Sequence, residues 1–223
     1  VITPEIIKTT DGSNTLYIKD MDEHYHSVHG ALTESEHVFI MNGWKALLNK
    51  SVVTVFEVGF GTGLNCLLTA LKALDEGRDV TYISIEKYPL GPDIFPNLDY
   101  GHFFGDRGKA MFQKIHHAGW NEMTLLFPGF RLLKIEADML LWDGWSEIQA
   151  DLIYFDAFGP DKQPEMWTPE IFAKVGGITV PGSILVTYSA KGEVRRRMAS
   201  AGFLVERLPG PPGKREMLRG IRK

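Results

Sequence analysis

The sequence predicts an α/β domain built on a mostly parallel sheet, and two observations carry that reading. From residue 51 onward, short runs dense in β-branched and aromatic residues alternate with helical stretches, the pattern that right-handed βαβ crossovers produce. The first of these runs passes into a helix through a turn with glycine at every second position, Gly59-Phe60-Gly61-Thr62-Gly63. Open parallel sheets hold ligands at such turns, at the carboxyl ends of their strands. The chain has 223 residues, 44% of them apolar and 23% charged. That composition is ordinary for a globular domain and excludes a disordered, collagen-like or coiled-coil protein.

The elements follow in order. Residues 1–50 read as an N-terminal extension laid on the main domain, which occupies 51–223. In it, two extended runs flank the turn cluster Asp11-Gly12-Ser13-Asn14 and form a hairpin. Val38, Met41, Trp44, Leu47 and Leu48 then recur at helical spacing, so a helix over 33–49 is expected, with Thr33 and Glu36 as a capping box. Val52 to Val58 is a strand buried on both faces, followed by a helix over Leu64 to Glu76. Thr81 to Glu86 is the second strand, and Pro89, Pro92 and Pro96 punctuate the loop after it. Residues 105–130 carry one helix, Arg131 to Glu136 a strand, and a short helix follows Asp138. Strands over Asp151 to Asp156 and Ser183 to Tyr188 complete the parallel set. Phe203 to Leu208 and Glu216 to Ile221, joined by a loop of prolines and glycines, form an antiparallel hairpin at the sheet edge.

No apolar run approaches the ~20 residues that cross a bilayer, and no secretory signal opens the chain. The single cysteine, Cys66, permits no internal disulfide, which fits a reducing compartment and a cytoplasmic location. Cys66 follows the glycine turn on an apolar helix and reads as core. His24, His26, His29 and His37 cluster without a metal-ligand register, so no metal is expected, and a contact of His26 with cofactor or substrate is left open.

The chemistry concentrates at strand ends. Glu57 precedes the turn, and Glu86 closes the second strand 23 residues after Gly63, where a carboxylate accepts both hydroxyls of a ribose. No Gly-Lys-Ser/Thr follows the glycines, so phosphate binding is poorly supported. A cationic, phosphate-free nucleoside such as S-adenosylmethionine suits the acidic setting better. Asp138 either recognises an adenine amino group or caps the helix after it. Asp156 ends a central strand in the ligand crevice, where a carboxylate orients an amine and takes its proton. Trp167, in the loop that follows, either receives a base by stacking or packs beneath the loop.

Glu57 to Asn65, Glu86-Lys87-Tyr88-Pro89-Leu90, Asp156 to Trp167, Gly182 to Ala190 and Gly213-Lys214-Arg215-Glu216-Met217-Leu218 together resemble the methyltransferase domain of MnmC, a family that also contains stand-alone enzymes called MnmD. The resemblance extends to Tyr25-His26-Ser27, Gly30 and Glu36 to Phe39. It implies a class I, Rossmann-like methyltransferase fold with a seven-stranded sheet and S-adenosyl-L-methionine as cofactor. It also implies transfer of a methyl group to the 5-aminomethyl group of a wobble (2-thio)uridine in tRNA, giving 5-methylaminomethyl. Carried onto this chain, the cofactor contacts are Glu57, Gly59, Gly61, Gly63, Asn65, Glu86, Lys87, Asp138 and Asp156. Tyr25, Phe158, Trp167, Ser189, Lys214 and Arg215 face the substrate, Tyr25 and Ser189 being equally readable as structural. The bifunctional relatives carry Asp-Gly-Phe-Ala-Pro where this chain has Asp156-Ala157-Phe158-Gly159-Pro160. They also carry a C-terminal FAD-dependent oxidase domain. This chain, ending at Lys223, is expected to perform methyl transfer alone, coupled in function to a separate oxidase.

The formal charge of −4 hides an asymmetry. From Leu185 onward there are ten basic and three acidic residues, +7, and the first 184 residues carry 14 and 25, −11. A basic stripe of that kind neutralises nucleic-acid phosphates. Two other readings share the fold: an aminopropyltransferase of the polyamine type, which needs an acidic pocket without a basic tail, and a catalytically silent RNA-binding module.

Overall fold

The computed structural model describes residues 4–223. Its centre is an eight-stranded sheet. Five strands run parallel: β4 (Val52–Val58), β5 (Asp79–Glu86), β7 (Phe130–Glu136), β8 (Ala150–Phe155) and β9 (Thr179–Thr187). Three are antiparallel additions: β6 (Met123–Phe127) on β7, and β11 (Glu216–Arg222) with β10 (Phe203–Pro209) beyond β9. The spatial order is β10-β11-β9-β8-β4-β5-β7-β6. The sheet therefore has one strand more than the seven expected. The extra strand is β6, an edge strand that pairs only with β7 and leaves Met123 and Leu125 at the surface. A short edge strand has neither the double-sided burial nor the length that makes a central strand legible.

Both faces of the sheet are covered, which explains why the parallel strands read as continuous apolar runs rather than alternating ones. Along β4, Val53 and Val55 face one core and Phe56 and Val58 the other. The first core is covered by α2 (Leu64–Glu76) and α3 (Gly105–His117), through side chains such as Leu67, Leu71, Phe112 and Ile115. The second is covered by α4 (Pro169–Gly177) and α5 (Gly192–Ser200), with Trp167, Phe172, Val194 and Met198. Thr168 caps α4, its hydroxyl accepting from the Ile171 amide, and Pro169 occupies the first turn, where its missing N–H costs nothing.

The N-terminal segment joins the first core through Leu16, Val38, Phe39, Ile40 and Trp44. The expected hairpin is present as β1 (Glu5–Lys8) and β2 (Asn14–Ile18), and β3 (Glu23–His24) adds a third strand. The single helix expected over 33–49 is instead three short pieces: α1 (Ala31–Ser35), a π-helical turn over Glu36–Met41 and a 3-10 turn over Trp44–Leu47. Thr33 does not cap it. The helix starts at Ala31, and Thr33 lies inside it with its amide and hydroxyl both donating to Asp11 Oδ2, at 2.9 and 2.7 Å. Burial opposes ionisation of Asp11, but the bonds from Ser13 and Thr33 hold its carboxyl at about 2. Arg78 locks the segment's end to the domain: its guanidinium stacks 3.9 Å from the Trp44 ring and donates to the Leu47 carbonyl at 2.7 Å.

The expected helix after Asp138 is absent. Residues 138–142 form a turn in which the Leu141 and Trp142 amides donate to the Asp138 carbonyl, and a 3-10 turn follows at Gly144–Glu147. The carboxyl ends of β4, β5, β7 and β8 emerge side by side, and the loops that leave them build the site.

Candidate active site

The turn after β4 needs glycine at all three positions, with φ of 85° at Gly59, 49° at Gly61 and 73° at Gly63. It also needs the space. A Cβ on Gly59 would stand 3.0 Å from the Asp156 carbonyl, and one on Gly63 3.0 Å from the Phe60 ring. The result is a backbone cradle packed closely against the Asp156 carbonyl, Tyr25 and Phe60.

Three carboxylates surround it. Glu57 is fully buried under the turn, accepts from Ser84 Oγ at 2.7 Å through Oε2, and has no partner for Oε1. Burial, only partly opposed by that hydrogen bond, pushes its carboxyl up to about 8. Glu86 points back at the turn, accepting from the Gly61 amide at 3.0 Å and the Tyr88 amide at 2.8 Å. Asp138 pairs with Lys87 at 2.8 Å and accepts from the Leu140 amide at 2.9 Å. The Lys87 contact holds the Asp138 carboxyl below its usual range. Of the two readings of Asp138, a helix cap is overturned by the missing helix; a turn-stabilising carboxylate beside Glu86 is what the fold provides.

Asp156 leaves β8 with its amide bonded to the Val58 carbonyl at 3.0 Å, directly across from the glycine turn. Asn65, in the first turn of α2, donates to its Oδ2 at 2.8 Å. Burial raises the Asp156 carboxyl well above the ordinary range, and the Glu34 and Glu57 charges raise it further, while Asn65 and Lys214 oppose them. A carboxylate whose proton affinity is raised in this way is a stronger base than a solvent-exposed one, which suits a proton acceptor. The wall above it is aromatic. Tyr25 reaches in from the N-terminal segment, 3.2 Å from where a Gly61 Cβ would stand, and meets Phe158 edge-on at 5.1 Å. His26 beside it is buried, bonded through Nε2 to Thr62 Oγ1 at 2.7 Å, and burial lowers its imidazole to about 4. No group of metal-ligating side chains occurs among the described residues.

Two expected substrate contacts are corrected by the packing. Trp167 is fully buried, donates to the Phe158 carbonyl at 2.7 Å and packs on Phe155 and Phe172, so it supports the loop from below and stacks on no base. Lys214 is not a free surface cation: it is paired within the fold, with its side chain 32% exposed. Its ammonium lies 2.5 Å from Glu34 Oε1 and 3.8 Å from the centre of the Tyr188 ring. Arg215 is exposed, as a phosphate contact would be. Ser189 is buried at the end of β9, its amide bonded to Thr187 Oγ1 at 3.3 Å. Several other basic residues of the C-terminal region are also engaged internally: Lys191 with Asp161, Arg197 with Glu193, Arg207 with Glu216 and Arg219 with Glu206.

Sequence reasoning missed Glu34, Tyr188 and the α3 side of the turn. Tyr188 donates to the Ala157 carbonyl at 2.8 Å, bracing the residue after Asp156. A cavity of about 400 Å³ opens beside Gly61, walled by Phe60, Phe95, His116, Trp120 and Lys134. Only long-range proximity brings these groups together, and no local motif signals them. Gly159 does not take a positive φ, and a Cβ there would stand 3.7 Å from the Tyr188 hydroxyl, ordinary contact, so an alanine fits at that position.

The acid-ringed glycine cradle, with the unpartnered buried oxygens Glu57 Oε1 and Asn65 Oδ1 beneath it, fits a nucleoside sulfonium. Comparison with known proteins agrees. The model of a family described as S-adenosyl-L-methionine-dependent methyltransferase matches residues 112–223. The chain belongs to this family. The match spans α3 to the C-terminus and so includes Asp156. Among curated proteins, the tRNA 5-methylaminomethyl-2-thiouridine biosynthesis bifunctional protein MnmC of Pseudomonas aeruginosa strain UCBPP-PA14 is 32% identical over 220 residues, covering 88% of this chain and 32% of that protein. Its counterpart in Pseudomonas fluorescens strain Pf-5 is 33% identical over 211 residues, covering 89% of this chain and 32% of that one. The chain thus spans about a third of the length of these relatives. The crystal structure of MNMC2 from Aquifex aeolicus superposes with a TM-score of 0.79 at 25% identity, covering 100% of this chain and 72% of that one. Spermidine synthase from Thermotoga maritima, at TM-score 0.58 and 12% identity over 99% of this chain and 69% of that one, shares the fold alone. The expected class I fold, the S-adenosyl-L-methionine cofactor and the resemblance to the MnmC family are borne out. The chain is a methyltransferase.

Proposed function

We propose that this methyltransferase acts on tRNA, converting the 5-aminomethyl group of a wobble (2-thio)uridine to 5-methylaminomethyl. The observation that carries the reading is Asp156, held by Asn65 at 2.8 Å beneath the Tyr25–Phe158 wall and across from the glycine turn. An amine attacks through a free lone pair, so it must be held unprotonated, and the proton it carries in surplus after methyl transfer must be taken up. Asp156 is suited to orient the amine and take that proton, directly or through water. Glu86, with Asn65, Lys87 and Asp138, would hold the cofactor's nucleoside over Gly59, Gly61 and Gly63. Glu57 would support the turn from below. S-adenosyl-L-methionine, when bound, supplies an electrophilic methyl group on sulfur. The chain's own contribution is alignment of the amine and exclusion of water by Tyr25 and Phe158, and such positioning supplies much of the rate in transfers of this kind.

The MnmC names of the relatives support the substrate, and exposed Arg215, with Arg195 and Arg196 on α5, offers cations for tRNA phosphates. The same reading divides the chain into a 1–50 extension and a 51–223 catalytic domain, places it in the cytoplasm and has an oxidase activity supply the aminomethyl substrate. No helix of the described residues is long and apolar enough to cross a membrane.

The deciding experiment is transfer from labelled S-adenosyl-L-methionine to tRNA from cells lacking this activity, read by nucleoside mass spectrometry. The 5-methylaminomethyl nucleoside is expected. Modification of putrescine by decarboxylated cofactor with no tRNA product would favour the aminopropyltransferase instead. RNA binding without turnover of either substrate would favour the silent module.

A further inference from the structure

Lys214 sits on the loop between β10 and β11, where a cation would ordinarily reach solvent, yet it turns inward. Glu34 takes its ammonium at 2.5 Å, and the Tyr188 ring lies beneath it at 3.8 Å. Both partners are themselves fixed. Glu34 is 6% exposed and its other oxygen accepts from the Ser27 amide at 2.8 Å. Tyr188 is anchored by its hydroxyl to the Ala157 carbonyl at 2.8 Å, one residue from Asp156. A carboxylate and an aromatic face are the two groups that best hold an ammonium. Three distant parts of the chain, α1, the residue after β9 and the β10–β11 loop, thus converge to fix an ammonium–carboxylate pair beside the end of β8.

We propose that Lys214, clamped by Glu34 and Tyr188, is a positioning residue that presents a fixed positive charge to Asp156 and keeps its carboxylate available for the substrate's proton. The inference rests on the reading of Asp156 as proton acceptor. Asn65 from α2 bonds Asp156 directly, and the charges that act on it come from Glu57 on β4, Glu34 on α1 and Lys214 on the β10–β11 loop, with Tyr188, His26 and Glu23 in the same cluster. Glu34 and Glu57 disfavour the carboxylate; Lys214 is the cation that favours it. In the transfer, nitrogen forms its bond to the methyl carbon as the carbon–sulfur bond breaks, and the surplus proton on nitrogen passes to Asp156. Lys214 exchanges no atom.

The test is the pH dependence of the single-turnover rate at saturating tRNA and cofactor, which reports ionisations of the ternary complex. Lys214→Met should move the acid limb to higher pH, with S-adenosyl-L-methionine affinity by calorimetry unchanged. Lys214→Arg, which keeps a permanent charge, should leave the limb near that of the parent. Lys214→Met strands the Glu34 charge and lowers stability. The double variant Lys214→Met/Glu34→Gln removes both opposed charges, so its limb should return toward the parent and its stability recover. An acid limb unmoved in Lys214→Met, with a reduced salt slope of tRNA binding like that of Arg215→Ala, would make Lys214 a phosphate contact and overturn the inference. If Asp156→Asn keeps full turnover, the acceptor reading fails and this inference with it; an inactive Asp156→Asn beside an unmoved limb removes the inference alone.

Discussion

The Asn65 side-chain amide donates to Asp156 Oδ2 at 2.8 Å, tying the first turn of the helix after the glycine turn to the end of the strand that carries the candidate base. The helix that follows the glycine turn and the proposed amine site therefore share a hydrogen bond. Asp156→Asn preserves the volume and removes the proton acceptor. Its single-turnover rate should fall by about 100-fold or more, with the cofactor dissociation constant little changed. Equal losses in both would place Asp156 in cofactor binding alone.

Glu57 makes stability depend on pH in an unusual direction. Its folded carboxyl is raised from 4.5 to about 8. Below the lower value both folded and unfolded chains are protonated. Between the two the unfolded chain ionises while the folded one keeps its proton, so this group's contribution to stability falls as pH rises from 4.5 to about 8 and is flat above. Glu57→Gln should melt near the parent at pH of about 5 and roughly 5 °C higher at pH of about 8.5. The same melting difference at both values would mean that Glu57 is ionised in the folded protein.

Gly59 and Gly77 both take positive φ, 85° and 64°, but only Gly59 is crowded, its absent Cβ pointing 3.0 Å from the Asp156 carbonyl. Alanine at either position should cost about 1–2 kcal/mol in backbone strain. Gly59→Ala should in addition push the β8 end and lower the methyl-transfer rate, whereas Gly77→Ala, with open space around it, should leave the rate unchanged. Denaturant midpoints and initial rates of the two variants separate strain from displacement.

Trp167 is a packing residue, so Trp167→Ala should lower unfolding free energy by about 3–5 kcal/mol, and Trp167→Phe should recover part of it. A raised KM for tRNA with unaltered stability would instead return Trp167 to the substrate surface.

Much of the site was legible without coordinates because it lies at the ends of buried strands. Val52–Val58 and Leu64–Glu76 stand where periodicity and β-branched density placed them, and the glycines between them mark a turn whose left-handed backbone no other residue adopts easily. Glu86 was legible for the same reason, its spacing from that turn being set by one βα crossover. The Thr33–Asn49 helix was misread because its apolar stripe answers to a π-helical and a 3-10 turn wrapped on the core, and the stripe alone does not distinguish these from a regular helix. Strand β6 was missed because an edge strand buries little.

The sequence by itself determined the parallel α/β architecture, the glycine turn after the first buried strand and the place of Asp156 at a central strand's carboxyl end, since each is written in a local pattern of burial or backbone freedom. Only the tertiary structure decided what Trp167 and Lys214 do. Both sit in loops whose composition suits a surface, and whether such a side chain meets water, core or a buried carboxylate depends on partners that the chain supplies from far away: Phe158 and Phe172 for the tryptophan, Glu34, 180 residues distant, for the lysine. Residue type tells what a group is able to bind; the fold chooses its partner.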